Sequence, residues 1–282
     1  MTSDLQDMKL GLLDPRPGAI PLRLSTYCDF SKLIVPPDVF GHYQLISDWG
    51  VMGNKDWGCC AFAGSVHQTM LNTLEGGHMA PFSTTSTLEN YATLTHFNPN
   101  AGPPGQNPTD NGTDLGMLAN YWLSTGLVDD AGKHHKIVGV LDMNPGDLRE
   151  LWVATYLFQS VGMGFALPQS ALDQAAQGQP WTVTQAGSNI VGGHYVPNFG
   201  RANGGVGVGV TWGLLQQFSP QFYQQYNNQG ICGLSLEMLI KGRDIDGFDD
   251  QLLREDFETL ARDNIFGVHW LDNPHSTRGG QL

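Results

Sequence analysis

The chain has 282 residues, of which 40% are hydrophobic and only 15% charged, and its 27 acids against 14 bases give a formal net charge of −13. No Lys/Arg run or basic stripe is present to meet phosphates, which excludes nucleic acid and anionic membrane surfaces as direct partners. The apolar share is enough to bury one large core or two lobes, and no stretch approaches the roughly 18 consecutive apolar residues of a membrane span.

The opening segment MTSDLQDMKLGLLDPRPGAIP has neither the basic n-region nor the apolar run of a signal peptide, so a soluble protein made in the cytoplasm is expected. Residues 1–45, with PRPGAIP and VPPDVFGHY, read as an extended arm packed on the body, outside any chemistry. From Gly58 the texture changes. Ala61, Phe62, Val66, Met70, Leu71 and Leu74 recur at steps of three and four, the period of a helix, which Gly76 and Gly77 stop. A second helix is expected over 86–97. The breaker-rich loop NPNAGPPGQNPTDNGT follows, then a third helix over 114–126 with Asp114 as its N-cap. Beyond it the pattern turns to strands: HKIVGVLDM, VGMGFALP and ICGLSLEMLI, with GGHYVPNFGR and GGVGVGVTWG as a pair. Helices are expected at PGDLRELWVATYLFQS, with Asp147 near its start, and at SPQFYQQYNNQG, with Ser219 as cap and Gly230 as stop. Residues 243–282 read as an acidic amphipathic helix and a polar tail. Helices first and strands second argue an α+β protein with two lobes.

The four cysteines are Cys28, Cys59, Cys60 and Cys232, and two adjacent thiols do not make a disulfide framework. The plainest expectation is reduced thiols that fill the core. Cys60 has a sharper reading. It stands at a helix start, two residues after Gly58, where exposed N–H groups and the helix dipole favour the nucleophilic thiolate. Asn54, six residues upstream, brings an amide donor that could share an oxyanion with the Cys60 N–H. A base must come from the nine histidines. His67 lies two turns down the same helix, about 10 Å from Cys60, too far to reach the thiol. His134 and His135 sit in a polar segment and are expected to be solvated. His194, after Gly192 and Gly193 at the start of an apolar strand, is the candidate.

Together these residues resemble the papain-like cysteine peptidases, and more closely their propeptide-free bacterial and phage-encoded relatives. Those relatives carry a block G-N-D-x-x-G-D-C-T-x-A-x-x-x-x-H, and this chain has Gly53-Asn54, Gly58-Cys59-Cys60, Phe62-Ala63 and His67. The resemblance implies Cys60 as nucleophile and Asn54 as oxyanion amide. In a second register Cys59-Cys60-Ala61-Phe62 mimics C-W-A-F, which would make Cys59 the nucleophile and leave Gly53, without a side chain, at the amide position. The Cys60 register is preferred. GGHYVPNFGR resembles G-H-A-V-x-x-V-G-Y and implies His194 as general base, while Thr211-Trp212-Gly213 resembles the end of N-S-W-G and implies Trp212 as its cover. ALPQSALDQAAQGQPW resembles the segment before the histidine strand, and the likeness runs from about Trp49 to Ile240. It departs at one position. The family's Asn that accepts the imidazole N–H stands sixteen residues after the His, where this chain has Val210, which accepts no hydrogen bond.

The fold implied is papain-like α+β, with a helical lobe over about 46–130, a β-rich, barrel-like lobe over about 131–242 and an active-site cleft between them. The arm 1–45 and the tail 243–282 flank this body. The function implied is a thiol hydrolase, a cysteine peptidase acting on peptides or proteins through an acyl-enzyme, with no cofactor. No metal is implied either, because no spacing of His, Cys or acids suits zinc or calcium. Gly205, Gly207 and Gly209 lack the spacing of a dinucleotide site. Val210 also supports a different class: a weak or inactive papain-fold structural or interaction protein, such as a phage virion component or part of a homo-oligomeric assembly. The location is then virion-associated rather than cytoplasmic. A transglutaminase-like or amidase use of the same Cys–His pair is the third option. An open cleft with the pair in contact favours the enzyme, and a plugged cleft or a separated pair favours the structural protein.

Overall fold

Side chains at Ser83, Asp114, Asp147 and Ser219 cap four of the described helices. The computed structural model describes residues 8–27, 35–184 and 188–238. In the arm, one helical turn α1 (Leu24–Tyr27) precedes a short strand β1 (Phe40–Gly41). The helical segment follows with α2 (Cys60–Glu75), α3 (Thr84–Thr95) and α4 (Leu115–Ser124). Ser83 caps α3 in a reciprocal box with Ser86, and Asp114 accepts from the Met117 N–H to cap α4. The remaining elements are β2 (Leu127–Val128), β3 (His134–His135), β4 (Gly139–Asp142), α5 (Leu148–Phe158), β5 (Val161–Pro168), α6 (Gln169–Ala176), β6 (Ile190–Ala202), β7 (Val206–Thr211), β8 (Leu214–Phe218), α7 (Pro220–Tyr226) and β9 (Asn227–Leu234). Asp147 and Ser219 cap α5 and α7 as their positions suggest.

One antiparallel sheet in the order β4-β9-β5-β6-β7-β8 organises the molecule, with β1 pairing on β6. Because strand side chains alternate, the sheet feeds two cores. Tyr195, Phe199, Val210 and Ile231 join the cluster around α2 and α4, with Phe62, Leu71 and Trp122. Val196, Phe165, Trp212 and Cys232 join the cluster around α5, α6 and α7, with Phe158, Trp181 and Phe222. The chain is thus α+β, with helices on both faces of a long antiparallel sheet.

Several expectations are corrected. The second lobe does not close as a barrel: β4 and β8 are the two ends of the strand order. The strand expected at HKIVGVLDM divides, because β3 pairs with β2 while β4 pairs with β9. The helix expected to run to Gly230 stops at Tyr226. There the Asn227 side chain accepts from the Gly146 N–H and donates to the Gly164 carbonyl, which pins the start of β9. The arm is not merely laid on the body, since Phe40 and Gly41 pair with Arg201 and Gly200. The acidic helix expected in 243–282 lies outside the described residues.

Candidate active site

A tight turn presents the start of α2. Gly50, Met52 and Gly53 all have positive φ, and the Asn54 N–H closes the turn on the Val51 carbonyl at 3.0 Å. His67 reaches back from α2 to hold this loop, its Nε2 lying 3.0 Å from the Gly50 carbonyl. Both carboxylate oxygens of Asp110 accept from the Gly58 N–H, at 3.0 and 3.1 Å, and Tyr91 donates to the same carboxylate at 2.9 Å. The backbone just before the paired cysteines is therefore held from two sides. Sequence reading missed Asp110, which it placed in an anonymous loop.

The adjacent cysteines face different partners. Cys59 is the N-cap residue, and its thiol donates to the Met52 carbonyl at 3.6 Å, a second tie across the turn. Cys60 is the first residue of α2, and its sulfur is faced by the backbone N–H groups of Tyr195 and Gly11. Tyr195 directly follows His194, but no hydrogen bond joins the Cys60 sulfur to the imidazole, whose Nε2 meets Thr211 and whose Nδ1 has no partner. The approach of α2 to β6 depends on Gly64, one turn along α2: a Cβ there would lie 2.5 Å from the Tyr195 ring and 2.9 Å from Pro197. One turn further, Gln68 accepts from the Tyr195 hydroxyl at 2.7 Å. Asn54 is buried, and its Oδ1 has no hydrogen-bond partner.

His194 is fully buried on β6. Its ring stacks on Trp212, with centroids 4.7 Å apart and planes at 19°. Trp212 and Gly213, with φ of 51° and 77°, form the two-residue turn between β7 and β8, the left-handed geometry that matches strand twist. A left-handed Trp costs about 1–3 kcal/mol, and here it carries the indole over His194. Val210 does not face the ring. It lies in the α2 cluster, and the next residue, Thr211, turns to the other face, where its Oγ1 is 2.6 Å from His194 Nε2. A polar group therefore stands beside the imidazole after all, one residue later than the motif spacing implied. His194 Nδ1 has no hydrogen-bond partner.

The arm enters this site, contrary to expectation. Leu12 donates to the Gly193 carbonyl at 3.0 Å, Leu13 to Thr113 at 3.1 Å, and Thr113 back to Gly11 at 2.9 Å. Leu12 pairs in parallel with Thr113, and Lys9 donates to the Lys55 carbonyl at 3.1 Å. This strap, residues 8–13, passes over Cys60 at its glycine. A Cβ on Gly11 would lie 2.0 Å from the Gly58 carbonyl oxygen, and one on Gly193 would lie 2.1 Å from the Leu12 oxygen. Only backbone without side chains fits at these crossings. Cys60 and His194 are each 0% exposed beneath it.

Burial sets the resting charge. It pushes the Cys60 thiol up to about 11, against the pull of the facing N–H groups. Burial likewise raises Cys59 well above its usual value and lowers His194 to about 3 and His67 to about 4. The closed pair is a neutral thiol and a neutral imidazole. His67 and His194 also predict acid sensitivity. In the fold both stay neutral where the unfolded chain is taking up protons, so their stabilisation is complete above pH 6.5 and is lost as pH falls. For each of them stability should fall with a slope that steepens from about 0.7 kcal/mol per pH unit at pH 6.5 toward about 1.4 near pH 5, above the carboxylate range. Urea midpoints measured across this range should show that slope, and His67→Gln should remove one histidine's share. An unchanged slope would mean His67 is not buried neutral.

His135 is another correction. It is buried, not solvated, with Nδ1 2.9 Å from Glu237 Oε2 and Nε2 3.1 Å from Asp129 Oδ2. These two hydrogen-bonded carboxylates outweigh desolvation and raise its pKa. Among the described residues no group of three or more His, Cys, Asp or Glu side chains is placed to hold a metal ion, and no helix is long and apolar enough to cross a membrane.

No family model and no curated protein sequence matches the chain. Solved structures do. Xylellain, a cysteine protease from Xylella fastidiosa, aligns with a TM-score of 0.58 at 11% identity, covering 82% of this chain and 97% of that one. The proCathepsin B S9 of Trypanosoma congolense aligns with a TM-score of 0.53 at 12% identity, covering 83% and 89%. A digestive procathepsin L2 proteinase from Tenebrio molitor larval midgut aligns with a TM-score of 0.52 at 12% identity, covering 83% and 80%. At such identities the likeness concerns the fold alone: this chain has the papain-like α+β fold.

Proposed function

We propose that the chain is a thiol hydrolase of the cysteine-peptidase type, acting on peptides or proteins and closed by its own strap in the form described here. One observation carries the reading: in a papain-like fold, a helix-start cysteine lies against the backbone of the residue that follows a buried, stacked histidine. Among the buried polar atoms without a hydrogen-bond partner are His194 Nδ1, Asn54 Oδ1 and Trp212 Nε1, which leaves the Nδ1 of the candidate base free to exchange a proton. With the strap displaced, the Cys60 sulfur attacks the substrate carbonyl carbon and His194 takes the thiol proton. The Asn54 amide and the Cys60 N–H hold the oxyanion. His194 returns the proton to the leaving amine. Water, deprotonated by His194, then attacks the thioester and releases the acid and the free thiol.

The filled cleft and the absence of a hydrogen bond between Cys60 and His194 favour a second reading, a catalytically silent papain-fold protein serving in an assembly such as a phage particle. Hydrolysis of a mixed peptide library separates the two. The chain opened at the strap by Gly11→Val should cleave peptides, and adding Cys60→Ala should remove that activity entirely. Equal rates with and without Cys60, both proteins being folded, would sink the hydrolase reading and leave the structural one.

A further inference from the structure

We infer that Thr211 is the positioning residue of His194: its hydroxyl, not a group at position 210, orients the imidazole for proton exchange at Nδ1. The inference rests on the hydrolase reading for its purpose, although its geometry stands alone. Thr211 Oγ1 and His194 Nε2 are 2.6 Å apart, and both residues are buried. Thr211 is the last residue of β7, paired with Leu214 across the two-residue turn, so its backbone is held by β8. Its β-branched side chain has little χ1 freedom, which aims the hydroxyl. Trp212 fixes the plane of the ring from one face. Two restraints, in the plane and across it, leave Nδ1 as the atom with no protein partner.

A threonine differs in kind from a carboxamide oxygen at this place. The oxygen of an amide only accepts, so it selects the tautomer with the proton on Nε2 and the lone pair on Nδ1. A hydroxyl donates or accepts. With neutral imidazole it can accept from Nε2–H, which leaves Nδ1 basic, or donate to Nε2, which puts the proton on Nδ1. Once Nδ1 has taken the thiol proton, Nε2 also carries one, and the hydroxyl can only accept. Thr211 thus holds one ring orientation in both charge states, and it leaves the resting tautomer less tightly selected than an amide would. Val210 needs no polar replacement, because its face of the strand belongs to the α2 core.

The test uses the full chain labelled with ¹⁵N-histidine, compared with Thr211→Val, which keeps the shape, and Thr211→Ser, which keeps the hydroxyl. The His194 nitrogen shifts should report a hydrogen-bonded Nε2 in the wild type and in Thr211→Ser. In Thr211→Val that signature should vanish and the tautomer ratio should change. In the strap-opened Gly11→Val background, Thr211→Val should lower kcat at least tenfold with KM little changed, and Thr211→Ser should recover most of the loss. Unchanged His194 shifts in Thr211→Val, or a kcat loss that serine does not recover, would overturn the assignment. If no variant shows Cys60-dependent turnover, the hydrolase reading fails, and the nitrogen shifts still decide whether Thr211 orients His194.

Discussion

Gly11→Val should unseat the strap and bring Cys60 within reach of iodoacetamide. The side chain has no room: a Cβ at that position would lie 2.0 Å from the Gly58 carbonyl oxygen, and backbone on both sides cannot yield as a flexible side chain would. The strap is open to such a push. Its seat consists of a few backbone hydrogen bonds, one from the Gln229 side chain to the Leu13 carbonyl, the Lys9–Asp110 ion pair and the buried Leu12 and Met8 side chains, set against the entropy of ordering its residues. Two effects follow at the sulfur. Access returns, and water lowers the thiol pKa from about 11 toward the ordinary value of about 8.5 or below, helped by the N-terminus of α2. Near pH 7.5 that shift alone raises the thiolate fraction by roughly three-hundredfold. Alkylation of the wild type should therefore climb tenfold per pH unit toward pH 11, while the variant levels off at least two units earlier. Mass spectrometry should find the label on Cys60. Cys59 stays buried against the Met52 carbonyl whether or not the strap is seated. Preferential labelling of Cys59 would overturn the Cys60 register, and equal rates for wild type and variant would show that the strap does not guard the thiol.

Gly64→Val should disable the site from within the core. The substitution removes a helical glycine, which by itself stabilises by less than about 1 kcal/mol. Against that, the new Cβ meets the Tyr195 ring at 2.5 Å and Pro197 at 2.9 Å. Tyr195 cannot swing aside freely, because its hydroxyl is bonded to Gln68 and its ring is buried. Overpacking of this kind costs about 1–3 kcal/mol or more, so the clash wins, with a fall in Tm of roughly 5 °C. The larger effect is on chemistry. Pushing α2 off β6 separates the Cys60 sulfur from the Tyr195 N–H and hence from His194, and misplacement by an ångström can cost about a hundredfold in rate. A thermal melt and peptide hydrolysis in the Gly11→Val background measure both. In a Tyr195→Ala background the stability penalty of Gly64→Val should shrink. An equal penalty in both backgrounds would show that Tyr195 is not what the valine meets.

Sequence by itself determined the helices and named the candidate site residues. Capping side chains at Asp114, Asp147 and Ser219 act within a few residues of their own backbone, so they are legible locally. The same holds for the apolar period from Ala61 along α2 and for the apolar run of β5. The candidates Cys60, His194, Asn54 and Trp212 could be named because their spacing along the chain resembles a known pattern. Which atoms meet was decided only by tertiary structure. Position 210 and position 211 differ by one step on a strand, and one step exchanges the two faces of a sheet. The polar partner of His194 is therefore Thr211, while Val210 belongs to the core on the α2 side. His135 looked solvated because its partner Glu237 comes from about a hundred residues away, although Asp129 lies only six residues upstream. The strap was invisible for a related reason. Met8 to Leu13 carries no motif, and its fit depends on glycines at 11, 58 and 193, which only folding brings together. Local pattern reports what a residue does to its own element. The closure of Cys60 is made by segments far apart in sequence, and their meeting is a property of the packed chain.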